Sequence, residues 1–326
     1  MDSQLPSIVV FDVGGTTLQY TVGNSDGEFY RDPIEEPISQ TPARQVARGV
    51  EQFRDEFGYD VDSVSISTAG PIVREKQALK RLGTPEHGEL FDIEFGQALS
   101  EVGIDREQVH IENDTNAAVL AEYAFGVGSE RGTDNLLYCT FSTGIGAGAV
   151  QDGEIHRGAF DNAGKLGSFP IVPEYDAITQ KTSGCWEEVC AGKGIPDLVA
   201  ELLGDEHRET VLTDHDRVSA RQLYEAAKSG DEVAREYVTE VIGPLNARGI
   251  AVAAICYDPE VITLGGSIAL NNPTLLGDPI RENLDDYYPE MYPTPDIQLT
   301  ELGGSIELRG ALRLPVFRRE GQSTPS

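Results

Sequence analysis

Apolar and polar positions alternate along the chain with two different periods. Short apolar runs bounded by glycine, proline or polar residues indicate buried strands, and apolar positions three or four apart indicate helices. The first part of the chain has predicted helices at 42–57 and 116–125 and predicted strands at 7–11, 18–22, 28–30, 61–68 and 109–111. Strands that alternate with helices in this way are typical of an α/β domain.

A second unit begins near Asn135. Asp152-Gly153, between two glycine-rich or apolar runs, is a strong signal of a hairpin turn. The pattern predicts strands at 136–142, 144–150 and 261–264, helices at 217–228 and 232–257, and a short helix at 310–314. The second part of the chain is therefore predicted to be α/β as well.

The net charge of the chain argues against some classes of binding partner. The 326 residues include 25 Lys and Arg and 55 Asp and Glu, which gives a formal net charge of −30. Nucleic acids and anionic membranes attract basic surfaces, so neither is an expected partner. The acidic residues are spread over the whole chain, and there are only six lysines. This composition resembles that of salt-in halophilic archaea, in which molar salt screens the self-repulsion of such charges.

The four cysteines, Cys139, Cys185, Cys190 and Cys256, form no CxxC pair. In an intracellular enzyme such cysteines are expected to be reduced and buried. The N-terminal residues lack the charged and apolar regions of a secretory signal, and no apolar run approaches the roughly 18 residues of a membrane span. A soluble, cytoplasmic protein is therefore expected.

The stretch around Asp114 is the main candidate for chemistry. A predicted strand, 109–111, delivers Asn113 and Asp114 to the start of a predicted helix. Ligands of open α/β sheets collect at such strand ends, where a carboxylate can accept a proton from a bound hydroxyl. Aspartate is also a favoured helix cap. The stretch by itself leaves both interpretations open.

Two glycine-rich turns are candidate phosphate-binding loops. Gly14-Gly15 joins the first two predicted strands, and 142–148 contains the turn between two later strands. Neither turn has the Walker A pattern, and neither leads into a helix as a dinucleotide-binding turn does. Exposed backbone N–H groups in such turns can hold phosphates, and Asp12 at the first strand end can orient Mg²⁺ through water. The alternative is that both are ordinary hairpins.

Together these stretches resemble the ROK family of sugar kinases over nearly the whole chain. The motifs that carry the resemblance are DVGGTT at 12–17, ENDTNAA at 112–118, STGIGAG at 142–148, RGAFDNAG at 157–164, GCWE at 184–187 and LGGS at 264–267. The resemblance implies an α/β, actin-like ATPase fold, with two ribonuclease-H-like domains around a cleft. An N-terminal domain is then expected at 1–122 together with about 303–326, and a larger C-terminal domain at 123–302.

The resemblance also implies roles for single residues. Asp114 matches the family's catalytic base, which takes the proton of the sugar hydroxyl that attacks the γ-phosphoryl group of ATP, with Mg²⁺ bridging the phosphates. The implied sugar-binding positions are Gly70, Asn113, Asp114, Lys165, Ser168 and Glu187. The implied nucleotide-binding positions are Asp12, which also holds Mg²⁺ through water, and Gly14, Gly15, Thr16, Thr17, Ser142, Thr143, Gly144, Gly265 and Gly266.

Two of these positions depart from the family pattern. After Asn162-Ala-Gly the family usually has Glu-x-Gly-His, whose Glu and His touch the sugar, whereas this chain has Lys165 and Ser168. Three interpretations of Lys165 remain open. It forms an ion pair with Glu187 or Glu188 in a neutral-sugar site, it binds the carboxylate of a sugar acid, or it faces solvent.

The structural zinc site of most bacterial family members is expected to be absent. In those members the histidine of Glu-x-Gly-His and three cysteines bind the metal. The matching positions in this chain are Ser168, Ile178, Gln180 and Cys185. One cysteine cannot form a tetrahedral site, so Cys185 and Cys190 are expected to be packing residues instead.

The sequence therefore favours an ATP-dependent sugar kinase of glucokinase or hexokinase type, acting on a neutral hexose such as glucose. One alternative is a kinase for an acidic sugar such as 2-keto-3-deoxygluconate, read by Lys165. Another is a catalytically silent sugar sensor, which would have no need of Asp114. A repressor is disfavoured because the first strand starts by Ser7 and the chain is strongly acidic. The family resemblance also implies a homo-oligomer, dimer or tetramer.

Overall fold

The computed structural model describes residues 7–178, 184–204 and 207–320. Its contacts divide the chain into two units. The first contains the residues up to Gly132, the segment Glu154–Asn162 and the residues from Ser305 onward, and the second contains Thr133–Gly153 and Ala163–Gly304. A boundary after residue 122 would cut the helix Asp114–Phe125, which lies whole in the first unit. Glu154–Asn162, which the expected boundaries gave to the second domain, is grouped with the first unit.

Strands and helices follow one another in mixed order within the described ranges. The strands are β1 (Ile8–Val13), β2 (Thr17–Gly23), β3 (Ile34–Pro37), β4 (Ser63–Thr68), β5 (Ile72–Val73), β6 (Ala78–Thr84), β7 (Gly88–Glu94), β8 (Val109–Asn113), β9 (Leu136–Phe141), β10 (Ile145–Gln151), β11 (Glu154–Ile155), β12 (Val261–Gly265) and β13 (Asp296–Leu299). The helices are α1 (Pro42–Glu51), α2 (Phe95–Glu101), α3 (Asp114–Phe125), α4 (Val127–Arg131), α5 (Glu187–Cys190), α6 (Ile195–Gly204), α7 (Ala220–Lys228), α8 (Glu232–Glu236), α9 (Gly243–Tyr257), α10 (Gly266–Asn271), α11 (Pro273–Asn283) and α12 (Ile306–Glu320).

The main sheet of the first unit has the strand order β3-β2-β1-β4-β8. The pairs β1–β2 and β2–β3 are antiparallel, whereas β1–β4 and β4–β8 are parallel. The carboxyl ends of β1, β4 and β8 therefore lie along one edge of the sheet. The register places Asp12 beside Ser67 and Thr68 beside Asn113 along that edge.

Apolar side chains anchor helices to this sheet. Phe11 and Tyr20 are stacked with ring centroids 5.5 Å apart, and Phe53 meets Tyr20 edge-on. All three are buried, and complete burial of one such side chain contributes about 1.5–3 kcal/mol. In the same unit α12 packs against α3, β1 and β4. The strand edge is therefore held between rigid elements.

The other five-stranded sheet repeats this topology with the order β11-β10-β9-β12-β13, and its strands β9, β10, β12 and β13 belong to the second unit. The β9–β10 pair is antiparallel, and β12 is parallel to both β9 and β13. The core beside it contains the buried indole of Trp186, which meets Phe141 edge-on and donates a hydrogen bond to Asn246 Oδ1 at 2.9 Å. The likeness between the two glycine hairpins in the sequence thus reflects two sheets built on one plan.

The structure corrects the prediction of a strand at 28–30. The side-chain oxygen of Asn24 accepts hydrogen bonds from the backbone N–H groups of Asp26 and Glu28, which holds this stretch in a turn. Phe29 makes only an isolated bridge to Gly23, and the third strand is β3. The hairpin turn at Asp152-Gly153 is confirmed, with φ angles of 51° and 77°.

Helix lengths also differ from the predictions. The segment predicted as one helix at 42–57 is α1 followed by a π-helical turn, Gln52–Glu56. The short helix predicted at 310–314 is the fifteen-residue α12. The segment predicted at 232–257 runs through α8, a π-helical turn at Tyr237–Ile242 and α9. By length and composition it could cross a membrane, but most of it is buried within the protein, as a core helix is.

All four cysteines lie in the described ranges and are free. Cys139, Cys185 and Cys190 are buried, which confirms the prediction for these three. The prediction is wrong for Cys256, which is exposed, because it lies near the end of α9 where the helix leaves the core.

Candidate active site

The carboxyl edge of β1, β4 and β8 gathers carboxylates in the first unit. Asp12 lies near the end of β1 and accepts a hydrogen bond from Ser67 Oγ at 2.9 Å. Asp114 follows directly after β8 as the first residue of α3. The two acids interact electrostatically, because the negative charge of Asp114 helps to raise the pKa of Asp12. This is the strand end at which ligands of α/β sheets bind.

The helix start shows how Asn113 and Asp114 are held. Asn113, not Asp114, is the residue before the first turn of α3, and its side chain forms no capping hydrogen bond. Asn113 Oδ1 instead accepts from the hydroxyl of Thr115 at 2.7 Å. Asp114 Oδ1 accepts from the backbone N–H of Thr115 at 2.8 Å, and the carboxylate is half-buried. Asp114 is thus fixed near the strand edge without occupying the cap position itself.

Burial and mutual repulsion shape the charge at this edge. Burial raises the pKa of Asp12, and the neighbouring charge of Asp114 raises it further, while the Ser67 hydrogen bond lowers it in part. Burial likewise raises the pKa of Glu307, in the first turn of α12, and the charge of Asp12 adds to the effect. Carboxylates forced together in this way favour a cation beside them.

This donor set fits magnesium. Mg²⁺ prefers oxygen ligands and typically takes only one or two carboxylates, with water and substrate phosphates completing its shell. Asp12 and Asp114 supply such carboxylates. Within the described ranges, no group of three or more His, Cys, Asp or Glu side chains is arranged to hold a metal ion.

A buried ionic network lies directly behind the Asn-Asp pair. Glu112 is fully buried, and its Oε1 accepts from Arg74 Nη2 at 2.8 Å and from the backbone N–H of Asn113 at 3.0 Å. Its Oε2 accepts from Arg157 at 2.8 Å. Arg74 also pairs with Asp161 at 2.6 Å. Burial alone would raise the pKa of Glu112, but the charges of the two arginines outweigh it and lower that pKa.

The first glycine turn is built tightly. The N–H of Gly14 donates to the carbonyl of Thr17 at 3.0 Å, and the carbonyl of the exposed Thr16 accepts from Ile38 N–H at 2.9 Å. A Cβ on Gly15 would lie 2.5 Å from a carbonyl oxygen of β6. Gly70, just after β4, has a φ of 106°, which only glycine adopts readily. The predicted first-unit loops therefore surround the strand edge on rigid turns.

The second unit contains a cavity of about 510 Å³ beside the other glycine turn. Ser142 and Thr143 line it together with residues from α7 and α10 that include Tyr224, Lys228 and Ser267. Gly265 ends β12 and Gly266 begins α10, with a φ of 84°. A Cβ on Gly266 would lie 2.5 Å from the hydroxyl of Thr140, so glycine is needed to bring α10 this close to β9.

The carboxylate of Glu187 lies against the second glycine turn. Its Oε2 accepts from the N–H of Ile145 at 3.3 Å, and a Cβ on Gly144 would lie 2.9 Å from the same oxygen. Its Oε1 accepts from Lys193 Nζ at 2.6 Å. The sequence predicted Glu187 as a site residue but not Lys193, because Lys193, six residues further along the chain, belongs to no motif.

Lys165 and Ser168 are both exposed. Lys165 precedes a single 3₁₀ turn and Ser168 is its last residue, and the N–H of Ser168 donates to the carbonyl of Lys165 at 3.1 Å. Because the ion pair of Glu187 is to Lys193, the exposed position of Lys165 favours the interpretation in which it faces solvent.

Among the positions matching the family's zinc ligands, Cys185 is a packing residue. It is buried, and its Sγ donates to the carbonyl of Gly167 at 2.7 Å. Gln180 lies outside the described residues, and the description of Ile178 is limited to its backbone.

Several site residues carried no signal in the sequence. Helix α7 was predicted, but the sequence did not indicate that Arg221 and Lys228 on this helix line a cavity. Glu307 lies about 190 residues from Asp114 along the chain, and only the packing of α12 brings their charges together. Such contacts become visible only when the fold is known.

Similarity to known proteins extends over most of the chain. A sequence profile described as ROK family matches residues 8–316. The glucokinase of Thermotoga maritima is 29% identical over 287 residues, which are 86% of this chain and 87% of that enzyme.

Solved structures share the fold. The ROK hexokinase from Thermus thermophilus is 25% identical with a TM-score of 0.78, and the match covers 97% of this chain and 99% of that one. The ROK family glucokinase from Streptomyces griseus, solved with glucose and AMPPNP, is 24% identical with a TM-score of 0.73, covering 96% and 99%.

Proposed function

The chain belongs to the ROK family and has its actin-like ATPase fold, and on this premise we propose that it phosphorylates a neutral hexose such as glucose, with Asp114 as the general base. The family and the relatives named glucokinase make it an ATP-dependent sugar kinase.

The observation that carries the proposal is the position of Asp114 at the carboxyl edge of the first sheet. A carboxylate there can accept the proton of a sugar hydroxyl as the oxygen attacks phosphorus. Phosphoryl transfer requires mainly positioning and charge neutralisation from the protein. The first unit must therefore hold the carboxylate that accepts the proton in a fixed position. Thr115 N–H holds one carboxylate oxygen at 2.8 Å, which orients the group.

The second unit would bind the donor. Its cavity of about 510 Å³ is large enough for a nucleotide, and Ser142 and Thr143 at its wall belong to the glycine turn. Mg²⁺, when bound, neutralises phosphate charge during transfer, and Asp12 would hold it through water. Gly265 and Gly266 let α10 approach β9 closely, and Ser267 and Ile268 of that helix line the cavity.

The assignment of a neutral sugar depends on the charged side chains Glu187 and Lys165. Glu187 would accept hydrogen bonds from sugar hydroxyls, as the matching glutamate does in the family. Lys165 is exposed, and the ammonium group that lies beside Glu187 is that of Lys193, so the assignment of a neutral sugar gives Lys165 no role. The names of the curated relatives point in the same direction.

The test is an ADP-release assay in concentrated KCl with glucose, other hexoses, amino sugars and sugar acids. We expect the highest kcat/KM with a neutral hexose. A clear preference for a sugar acid such as 2-keto-3-deoxygluconate would overturn the assigned substrate, and binding without turnover of any sugar would favour a sensor.

The double variant Lys165→Glu, Ser168→His restores the common family residues and tests this loop. If the two side chains contact the sugar, the ranking of substrates changes. An unchanged ranking would show that they do not contact it.

A further inference from the structure

Lys193 is tied to the second glycine turn through its own backbone. The N–H of Gly192 donates to the carbonyl of Ser142 at 2.8 Å, and the N–H of Lys193 donates to the carbonyl of Thr143 at 3.1 Å. The side chain of Lys193 lines the same cavity as these two residues. Its ammonium group is therefore held beside the turn that the proposed function assigns to phosphates.

The other cations of the cavity already have partners. Arg221 Nε pairs with Glu225 at 3.0 Å, and Lys228 Nζ donates to the carbonyl of Asn271 at 2.6 Å. Lys193 also has a partner, Glu187, at 2.6 Å, with its side chain 44% exposed, but of these three cations it is the one whose own backbone is hydrogen-bonded to the glycine turn. An ion pair that is open to water contributes little and can be exchanged for a stronger anion.

The partner of Lys193 is the residue that would bind the sugar. Glu187 Oε1 is occupied by the ammonium group, while Oε2 receives the N–H of Ile145. A phosphate that draws Lys193 away would leave Oε1 free to accept from a sugar hydroxyl. The ammonium is a compact charge on a flexible stem, which suits such a change of partner.

We propose that Lys193 binds the terminal phosphates of the nucleotide and that this exchange releases Glu187, so that nucleotide and sugar strengthen each other's binding. The inference rests on the proposed function for the identity of the two ligands. Coupling of this kind is reciprocal: the factor by which nucleotide raises sugar affinity equals the factor by which sugar raises nucleotide affinity.

The first test concerns the phosphate contact alone. Calorimetric titrations compare adenosine with AMPPNP in the wild type and in Lys193→Met, with Lys80→Met as the control for loss of an exposed lysine in the first unit. We expect Lys193→Met to weaken AMPPNP roughly fivefold or more and to leave adenosine unchanged. Equal effects on both ligands, or none on AMPPNP, would overturn the assignment.

The second test concerns the coupling. Saturating AMPPNP is expected to raise the glucose affinity of the wild type roughly fivefold or more. Lys193→Met should lose this gain while binding glucose at least as well as the nucleotide-free wild type, because Glu187 is then always free. Lys193→Arg should keep most of the gain. Full coupling in Lys193→Met would overturn the exchange.

The two proposals fail in different ways. If the wild type turned over no sugar, the proposed function would be wrong, and the comparison of adenosine with AMPPNP would still decide whether Lys193 binds phosphate. A merely structural role of Lys193 would lower the affinity for adenosine and AMPPNP alike, with loss of thermal stability.

Discussion

Arg157 donates from both Nε and Nη2 to the same carboxylate oxygen of Glu112, at 2.8 Å in each case. This pair joins Glu154–Asn162, a segment whose sequence neighbours belong to the second unit, to the strand that ends at Asn113, directly before Asp114. The family motif that begins at Arg157 therefore has a structural role: it helps to hold the strand end that presents the proposed base.

The first prediction concerns the pH dependence of this network. The lowered pKa of Glu112 means that its stabilising effect is complete above its ordinary pKa of about 4.3 and is lost as the pH falls through the lowered value. Glu112→Gln should reduce the free energy of unfolding by about 3 kcal/mol at neutral pH. The difference from the wild type should shrink below pH of about 4.

Urea unfolding of both proteins across this pH range measures the effect. Glu107→Gln is the matched control, because Glu107 is exposed, and it should change stability by less than about 0.5 kcal/mol. A Glu112→Gln deficit that is the same at every pH would contradict the assigned ion pair.

The second prediction concerns the base. Asp114→Asn keeps the shape of the side chain but cannot accept the proton, so kcat should fall by about 10²–10⁴-fold. The dissociation constant of the sugar should change little, since the amide can still form hydrogen bonds. Steady-state kinetics and calorimetry on the same preparation measure both. A variant that retained most of its turnover would rule out Asp114 as the base.

The third prediction concerns the packing of α12 on α3. A Cβ on Gly310 would lie 1.7 Å from the carbonyl oxygen of Ala117, which belongs to rigid helix backbone. Gly310→Ala should therefore reduce stability by about 3 kcal/mol, as overpacking of a core does.

Gly304→Ala is the control for that variant, because a Cβ there meets nothing within 4 Å and the residue needs no left-handed backbone. Thermal unfolding of the two variants side by side provides the comparison. Similar melting temperatures would mean that the two helices are not in such close contact.

The fourth prediction concerns salt. A net charge of −30 repels itself at low ionic strength, whereas at about 1 M salt the screening length is roughly 3 Å. Melting temperature and turnover should both rise as KCl increases from about 0.1 M to molar concentrations. Sucrose, which strengthens burial without screening charge, serves as the control. Full stability and activity in dilute buffer would contradict the halophilic interpretation.

Local signals explain what the sequence could predict. The apolar strands and the glycine turns are set by neighbouring residues, so β1, β2, β9 and β10 were found within one or two residues. The junction of β8 and α3 was predicted for the same reason, and so was the position of Asp114 at this junction.

Long-range packing explains what the sequence could not predict. The small sheet of β5, β6 and β7 was not predicted, because exposed residues such as Lys80 and Arg81 interrupt its apolar positions. Lys193 and Glu307 were not predicted as site residues either. Each matters only through a side chain that the fold brings beside it, Glu187 for one and Asp12 for the other.

The placement of α12 in the first unit affects the order in which the protein can fold during synthesis. Domains usually fold from the N-terminus as the ribosome releases them. Here the N-terminal unit cannot complete its packing until α12 is made, and α12 is translated after the whole of the second unit. The later-encoded unit is therefore complete first, and the unit with the proposed base finishes folding only when the C-terminal segment has left the ribosome.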